Sequence, residues 1–368
     1  MYLENINSPN DLKKIKVENL KYLCKEIREF LVSNIGNTGG HLSSNLGVVE
    51  LTVAIHYIFN SPYDKIIFDV SHQSYTHKIL TGRKSEFFNL RKENGISGFT
   101  NRDESPHDIF TIGHSSTSIA MASGLAIARD LKKEKNKIIA LIGDGALTGG
   151  LSYEALNNIG NLNTNVIVIL NDNNMSISKS VGALTKHLNN LRVNKKYYKF
   201  KDDTQNTLKK IPIIGKYVLK RLQNTKRYLK YTLVNTSTIF EELGFRYVGP
   251  INGHNIEELI NTFELLKSVN GPILLHVKTC KGKGYSYAEK NPTKFHGVDK
   301  FNLDTGKFDV KTQDTYSTIA GKTLTRLAGT NKDIVVITAA MTDGTGVRPF
   351  IEKYPTRFFD VGIEKNML

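Results

Sequence analysis

Two short apolar runs that each end at polar residues constrain the fold of this chain most. Residues 138–142 form the first run and are followed closely by Asp144, and residues 166–170 form the second and are followed closely by Asn173. β-Branched runs bounded by polar turns are typical of buried parallel strands, and ligands of an open parallel sheet collect at the carboxyl ends of its strands. The pattern therefore predicts an α/β fold in which Asp144 and Asn173 project into one crevice.

The carboxylate of Asp144 and the amide of Asn173 form a pair that suits magnesium. Mg²⁺ takes hard oxygen ligands and usually keeps phosphate oxygens of a substrate or cofactor in its coordination shell. A Gly-Asp-Gly sequence is also a common turn that holds no metal, so the second polar strand end is the observation that favours a metal site. These two residues alone leave both interpretations open.

Strands and helices alternate along most of the chain. Periodicity predicts helices at residues 17–32, 48–59, 116–130, 154–159, 237–243, 256–267 and 316–327, and strands at residues 66–70, 138–142, 166–170, 273–277, 334–338 and 358–361. This order is typical of a doubly wound parallel sheet. We predict a first domain at residues 1–311 with a mobile insertion at about 186–231, and the beginning of a second, incomplete α/β domain at residues 312–368.

The composition allows two packed domains and excludes a membrane-spanning segment. The chain has 368 residues, of which 39% are hydrophobic. Its apolar runs are all much shorter than the roughly 18 residues that a spanning helix needs. The N-terminus lacks the basic start and apolar centre of a signal peptide, and Cys24 and Cys280 lack the spacing of metal ligands. We therefore expect a cytoplasmic protein.

The net charge of +15 is concentrated in one segment. Residues 186–230 contain 14 Lys or Arg and two acidic residues, which accounts for +12 of the total. Aromatic residues are interleaved with these cations, and a basic groove with stacking aromatics is one way to bind a single-stranded nucleic acid. No RNA-binding signature accompanies them. We favour the alternative, a solvated and mobile insertion that trypsin should cut first.

Histidines recur in polar loops that follow predicted strands or precede predicted helices. His41, His72 and His114 each lie in such a loop. Small residues at a helix N-terminus expose backbone N–H groups that favour a phosphate. A single histidine in such a loop is more often a structural hydrogen-bonding residue than a catalyst. Three of them beside a predicted magnesium crevice favour a functional site.

Taken in order, these strings closely resemble the 1-deoxy-D-xylulose-5-phosphate synthase family of thiamine diphosphate enzymes. The resemblance extends over nearly the whole chain and is far more specific than the metal signature. The matching strings are Gly40-His41, Glu50-Leu51-Thr52, Asp69-Val70-Ser71-His72-Gln73, His77-Lys78-Ile79-Leu80-Thr81-Gly82-Arg83, Gly113-His114-Ser115-Ser116-Thr117-Ser118, Gly143-Asp144-Gly145-Ala146, Leu170-Asn171-Asp172-Asn173-Asn174-Met175-Ser176-Ile177-Ser178, Lys281-Gly282-Lys283-Gly284-Tyr285 and Phe295-His296.

The resemblance implies a thiamine diphosphate-binding fold and a decarboxylating carboligation that depends on thiamine diphosphate and Mg²⁺. Pyruvate would lose CO₂, and the remaining fragment would join glyceraldehyde 3-phosphate to give 1-deoxy-D-xylulose 5-phosphate, a precursor of isoprenoids and thiamine. The cofactor is the electron sink, and the protein positions groups, handles protons and excludes water. Relatives are dimers, so we expect a homodimer, with no nucleic-acid or membrane partner.

The resemblance also assigns roles to individual residues. The expected metal ligands are the side chains of Asp144 and Asn173 and the backbone carbonyl of Met175. The expected catalytic residues are His41, His72, His296 and Glu364. The residues expected to line the cofactor are His72, Gly113, His114, Ser115, Gly145, Ala146, Asn173, Tyr285 and Glu364. His41 and His296 would face the substrate, because imidazole titrates nearest to neutral pH.

The chain departs from the family pattern at three places. Ser71 stands where the family has Gly, and Thr76 where it has Pro. The family glutamate that activates the cofactor ring matches Glu364 when one residue is deleted from the alignment, and falls on Lys365 otherwise. The resemblance implies that a family member continues beyond this sequence with the rest of the second domain and a third domain. We expect a truncated or split chain with negligible turnover alone, and a second copy or partner chain that covers an exposed apolar face.

Two alternatives to this function stay open on the sequence. The first alternative is a subunit of another transketolase-like carboligase. The second is a non-catalytic protein that binds the cofactor or a partner. A ketose-phosphate donor used in place of pyruvate would indicate the carboligase. A neighbouring reading frame that continues the second domain would argue against the non-catalytic alternative.

Overall fold

A computed structural model of the chain describes residues 1–173, 188, 239–308 and 314–363. The expected metal carbonyl of Met175 and the expected catalytic Glu364 lie outside the described residues. So does the basic segment, residues 186–230, apart from Leu188. The expectations that concern them therefore stay predictions.

Five parallel strands form the main sheet, and the alternating pattern predicts four of them. The strands are β1 (Lys65–Phe68), β2 (Ile138–Gly143), β3 (Ile167–Asp172), β4 (Arg246–Asn252) and β5 (Ile273–Lys278). Their order in the sheet is β1-β2-β3-β5-β4, and every neighbouring pair is parallel. The register pairs Gly143 with Asn171, so the carboxyl ends of β2 and β3 lie side by side.

Strand β4 is absent from the sequence-based expectation for a physical reason. Gly249 and Pro250 interrupt its apolar run, and a proline in a central strand would remove a hydrogen bond from the ladder. The strand lies at the edge of the sheet, where a proline is tolerated. Its register with β5 shifts between Val248 and Ile251, around the Gly-Pro pair.

Helices lie between the strands and around them. The longer ones are α1 (Leu20–Thr38), α2 (Val49–Ile58), α3 (Ser118–Leu131), α4 (Gly150–Leu162), α5 (Ile256–Lys267), α6 (Tyr316–Thr330) and α7 (Arg348–Lys353). Short α-helices span Pro9–Leu12, Ser43–Gly47, Tyr75–Lys78, Asp144–Leu147, Ile239–Glu242 and Ser286–Lys290. Tighter or wider single turns span Leu3–Asn5, Val17–Asn19, Ile79–Arg83, Lys84–Asn89 and Pro355–Arg357.

The sheet is covered on both faces, which confirms the doubly wound architecture. Side chains of a strand alternate between faces, and in β2 Ile139 and Leu141 belong to one hydrophobic core whereas Ile138, Ala140 and Ile142 belong to another. The first core is closed by helices α1, α2 and α5. The second core is closed by helices α3 and α4. Within the described residues, no helix is long and apolar enough to cross a membrane.

Helix α1 continues beyond its predicted end. Periodicity predicts a helix that reaches residue 32, with the glycine-containing stretch 36–40 ending it, whereas the helix runs to Thr38 and ends where Gly39 takes φ 76°. A Cβ atom at Gly36 would lie 2.4 Å from the side chain of Leu303. Gly36 therefore allows the helix to pack closely against the segment that contains Leu303. Gly39 allows the left-handed backbone that ends the helix.

A second, small α/β unit follows residue 314. Strands β6 (Val336–Thr338) and β7 (Phe358–Asp360) pair in parallel, and Val336 packs with Ala328, Val347 and Phe350 from the surrounding helices and loops. Ile337 and Phe359 are paired in register on the opposite side, where they are 48% and 51% exposed. The division of the chain into domains at residue 311 stays a prediction.

Candidate functional site

Three histidines from separate loops meet at one place. His41 precedes the helix Ser43–Gly47, His72 follows β1, and His296 lies in the loop after Ser286–Lys290. Their ring centroids are 5.4 Å apart for His41 and His72, 5.8 Å for His41 and His296, and 5.2 Å for His72 and His296. The fold thus assembles the three histidines that the sequence places in catalytic roles.

Backbone hydrogen bonds join the loops that carry these histidines. Gly40 and Val298 exchange two N–H···O bonds of 2.8 Å, which ties the segment before His41 to the segment after His296. The Ser43 N–H donates to the Phe295 carbonyl at 2.8 Å. The Gly282 N–H donates to the Ser43 carbonyl at 2.8 Å. Three loops that are distant in sequence therefore form one rigid frame.

Polar side chains hold two of the imidazole rings. The Ser44 hydroxyl lies 3.1 Å from His296 Nδ1. The Tyr75 hydroxyl accepts a hydrogen bond from the His41 N–H at 3.2 Å and lies 3.4 Å from His41 Nδ1. Burial raises the pKa of Tyr75 to about 12, so this hydroxyl keeps its proton at neutral pH. The sequence signals neither Ser44 nor Tyr75, because both contacts depend on how distant loops are placed.

Burial keeps all three histidines uncharged at neutral pH. It lowers the pKa of His41 to about 4, with a smaller effect from the Arg91 charge. It lowers the pKa of His296 to about 3, helped by the charges of Lys281 and His41. The pKa of His72 is also well below its usual range, mainly through burial. Neutral imidazoles can accept a hydrogen bond or a proton from a bound molecule.

The two predicted metal ligands lie at adjacent strand ends. Asp144 is buried and opens the short helix Asp144–Leu147 directly after β2, and Asn173 follows the last residue of β3. The polar residues just before Asn173 have structural contacts. Asn171 Nδ2 donates to Gln73 Oε1 at 3.2 Å, and the Asp172 carboxylate lies 2.7 Å from His276 Nε2. Asp144 and Asn173 therefore lie at the same edge of the sheet, and their role as metal ligands stays a prediction.

Lys281 is a buried cation near Asp144 that sequence reasoning did not single out. It is 8% exposed, and burial lowers the pKa of its ammonium group to about 8, against the opposite effect of the Asp144 carboxylate. A Cβ atom at Gly47 would lie 3.0 Å from the Cys280 carbonyl, so this glycine lets the Lys281 loop pass close by. The signal was the Lys-Gly-Lys-Gly-Tyr string itself, which marks a basic loop with glycines. A buried cation beside the carboxylate suits an anionic ligand.

The N-terminus of helix α3 is occupied by a side chain, which corrects the expectation of exposed helix amides there. The Asp69 carboxylate accepts hydrogen bonds from the Ser116 N–H at 2.8 Å and the Ser118 N–H at 3.0 Å. Those amides are unavailable to a phosphate. Ser116 takes φ 69°, and its hydroxyl donates to the Ala146 carbonyl at 2.7 Å. Asp69 and Ser116 thereby fix the predicted cofactor loop against the Asp144 helix.

Most of the remaining residues predicted to line the cofactor lie in the loop before helix α3 or in the Asp144–Leu147 helix, whereas Tyr285 lies in an aromatic cluster. A Cβ atom at Gly113 would meet open space, and His114 Nδ1 donates to the Ser115 carbonyl at 2.8 Å. Gly145 and Ala146 are buried in the short helix that Asp144 opens. Tyr285 instead donates from its hydroxyl to the Leu303 carbonyl at 2.8 Å and packs among aromatic rings. Its contact with a cofactor stays a prediction.

The described residues fit a metal that arrives with an anionic cofactor. They contain no group of three or more His, Cys, Asp or Glu that could hold a metal ion. A site built from Asp144, Asn173 and backbone or phosphate oxygens would not form such a group. In the described part of the chain, His72 Nδ1 is enclosed without a hydrogen-bond partner. Buried polar atoms normally have one, and a bound group would supply it.

Comparison with known proteins places this geometry in a family. A family model described as 1-deoxy-D-xylulose-5-phosphate synthase matches residues 3–279. The chain is 56% identical over 361 residues to the 1-deoxy-D-xylulose-5-phosphate synthase of Caldanaerobacter subterraneus and 54% identical over 363 residues to that of Alkaliphilus oremlandii. In each case the match covers 98% of this chain and 58% of the relative.

Solved structures with the same fold are transketolases. The transketolase from Campylobacter jejuni superposes with a TM-score of 0.56 at 18% identity, covering 95% of this chain and 62% of that one. The transketolase from Leishmania mexicana superposes with a TM-score of 0.54 at 15% identity, covering 95% and 61%. At these identities the likeness concerns the fold alone. With the family match over residues 3–279, it follows that the chain belongs to the 1-deoxy-D-xylulose-5-phosphate synthase family.

Proposed function

We propose that the chain forms the part of a 1-deoxy-D-xylulose-5-phosphate synthase that binds the diphosphate of thiamine diphosphate. The reaction joins pyruvate to glyceraldehyde 3-phosphate with loss of CO₂. The observation that carries the proposal is the cluster formed by the three neutral histidines His41, His72 and His296. The chain belongs to the matching family, and Asp144 and Asn173 lie at adjacent strand ends. When bound, the cofactor supplies the electron sink for decarboxylation.

Different residues of the chain would bind the metal and the diphosphate. Asp144, Asn173 and the Met175 carbonyl would hold Mg²⁺ through oxygen atoms, as this cation requires. The Lys281 ammonium would offset diphosphate charge, because it is buried beside Asp144 and mostly protonated at neutral pH. The residues that would line the cofactor are His72, Gly113, His114, Ser115, Gly145, Ala146 and Tyr285, and Glu364 would activate its ring.

His41 and His296 would act on the substrate side of the site. Both are uncharged at neutral pH because burial lowers their pKa values to about 4 and about 3. An uncharged imidazole can accept a proton from a hydroxyl group or donate a hydrogen bond to an oxygen. The contact of Ser44 with His296 and of Tyr75 with His41 would hold each ring in one orientation.

A donor comparison tests the proposed reaction. The protein, supplemented with a chain that supplies the remaining length of the relatives, is incubated with Mg²⁺, thiamine diphosphate and glyceraldehyde 3-phosphate, with either pyruvate or a ketose phosphate as donor. Deoxyxylulose 5-phosphate formed from pyruvate supports the proposal, and the Asp144→Ala variant gives the background. Carboligation from the ketose phosphate alone would favour a transketolase-type reaction. A homodimer, or a chain that supplies the remaining length of the relatives, is the assembly that we propose for activity.

A further inference from the structure

One buried amide connects the two loops that carry His41 and His72. Asn45 lies in the short helix Ser43–Gly47 and has no exposed surface. Its Nδ2 donates to the His41 carbonyl at 2.7 Å and to the His72 carbonyl at 2.8 Å. Its Oδ1 accepts from the Tyr75 N–H at 2.8 Å. The side chain therefore contacts the backbone of three separate residues that surround the site.

The chemistry of these partners fixes the orientation of the amide. Both carbonyls can only accept a hydrogen bond, so the NH₂ group must face them, and the N–H of Tyr75 must face the oxygen. A flipped amide would place oxygen against two carbonyl oxygens. Tyr75 in turn reaches His41 with its hydroxyl, so the same residue is held by Asn45 at its backbone and contacts the imidazole with its side chain.

We propose that Asn45 is a positioning residue that sets the separation and orientation of the His41 and His72 imidazoles. The hydrogen bonds from Asn45 reach the backbone carbonyls of the two histidines. The amide acts through the backbone of each histidine, and the distance of 5.4 Å between the ring centroids follows from where it fixes the two carbonyls. The consequence for catalysis rests on the proposed function, whereas the geometric role does not.

No smaller or charged side chain can replace this amide. Alanine would leave two buried carbonyls and one N–H without partners. Aspartate has nearly the same shape and keeps the acceptor for Tyr75, but it would direct a carboxylate oxygen at two carbonyl oxygens. Both Asn45→Ala and Asn45→Asp thus remove the N–H groups that donate to the two carbonyls. Asn45→Asp keeps the acceptor for the Tyr75 N–H, whereas Asn45→Ala removes it as well. Asn158 provides a control for loss of an amide away from the site: it is exposed, and its side chain donates to Ser123 on the other face of the sheet.

Titration of the histidines by NMR in the cofactor-free chain tests the inference. In Asn45→Ala and Asn45→Asp, the pKa of His41 should rise from about 4 towards its ordinary value by about one unit or more, because the freed loops let water reach the ring. The pKa of His72 should rise as well. Asn158→Ala should leave both unchanged. Unchanged titration of His41 and His72 in folded Asn45 variants would overturn the inference.

A second measurement needs no variant and separates this inference from the proposed function. In the unsubstituted chain both Nδ2 protons of Asn45 should exchange slowly with solvent, because each is held by a carbonyl in the interior. Rapid exchange would overturn the inference even if the variants do not fold. Neither experiment uses thiamine diphosphate. A chain that fails to bind the cofactor but shows these titration shifts would contradict the proposed function and support the role of Asn45.

Discussion

The imidazoles of His72 and His296 lie with their ring centroids 5.2 Å apart, although His72 follows the first strand of the main sheet and His296 comes after the last. The two rings can meet only when the strands that precede them in sequence have joined the same sheet. The candidate site is therefore a property of the whole five-stranded unit. Its stability should depend on conditions that change the protonation of the buried histidines.

Stability should fall as the pH is lowered from about 6.5 to about 4. The unfolded chain takes up protons on His41 and His296 below their ordinary pKa of 6.5, whereas in the folded chain burial lowers these pKa values to about 4 and about 3. The unfolded state thus binds more protons in this window. Each histidine contributes a slope of up to about 1.4 kcal/mol per pH unit.

Urea denaturation across that pH range measures this slope. His41→Gln should reduce it, because the variant removes one group that takes up a proton only on unfolding. Equal free energies of unfolding at both ends of the range would show that the histidines are not held neutral by the fold.

Ser71 should tolerate glycine better than alanine. The residue takes φ 65°, and its hydroxyl donates to the Ile112 carbonyl at 2.8 Å and accepts from the Thr100 N–H at 3.0 Å. Ser71→Ala loses both hydrogen bonds and keeps the left-handed backbone, so we expect a loss of about 1–3 kcal/mol. Ser71→Gly should be more stable than Ser71→Ala by about 1 kcal/mol, because glycine adopts positive φ without strain.

Thermal or urea unfolding of the two Ser71 variants side by side provides the measurement. The comparison also explains the departure at this position, where the family pattern has Gly: the backbone is left-handed, and serine compensates with its hydroxyl. Alanine that is as stable as glycine would mean that φ at this position relaxes freely.

Loss of the Asp108 charge should be among the most destabilising single changes. The Asp108 side chain is fully buried, accepts from both terminal nitrogens of Arg83 at 2.7 and 2.8 Å, and lies 2.8 Å from His77 Nε2. Asp108→Asn removes one of the two carboxylates that contact the buried Arg83 and leaves Glu104 at 3.2 Å, so we expect a loss of about 3 kcal/mol. Glu29→Gln, at the exposed pair with Lys25, is the control and should change the free energy of unfolding by less than about 1 kcal/mol. Similar unfolding of the two variants would contradict this account of the network.

Four of the five strands of the main sheet were predictable from sequence because their signals are local. Each of these four is a short β-branched run, and the residue after it lies at the sheet's carboxyl edge whatever the loops do. Resemblance to a family then identified His41, His72 and His296, which the structure brings together. Local sequence patterns and the order of the motifs along the chain were sufficient for these inferences.

Contacts between distant side chains were beyond sequence reasoning. Asp69 takes the amides at the start of helix α3, and nothing in its own strand indicates that partner. From the sequence, Lys281 would be expected at the surface, but in the structure it is buried near Asp144. Asn45 gives no sign of its role, because its partners lie in separate loops.

Removal of a proposed metal ligand should abolish cofactor binding and preserve the fold. We expect Asp144→Ala and Asn173→Ala each to weaken Mg²⁺-dependent binding of thiamine diphosphate by more than about tenfold, because the metal joins the diphosphate to the protein. Asp103→Ala changes an exposed aspartate and is the matched control. Calorimetry gives the affinities, and circular dichroism checks the fold. Unchanged affinity in Asp144→Ala would refute the metal assignment.

Titration of the unsubstituted chain with thiamine diphosphate, with and without Mg²⁺, tests the central claim most directly. The described residues offer no cluster that would hold the metal alone, so metal and diphosphate should bind together. The account predicts a saturable heat of binding with Mg²⁺ present, little or none after chelation, and no binding of Mg²⁺ by itself. An absence of binding in both conditions, or equal binding with and without Mg²⁺, would contradict the assignment of this site.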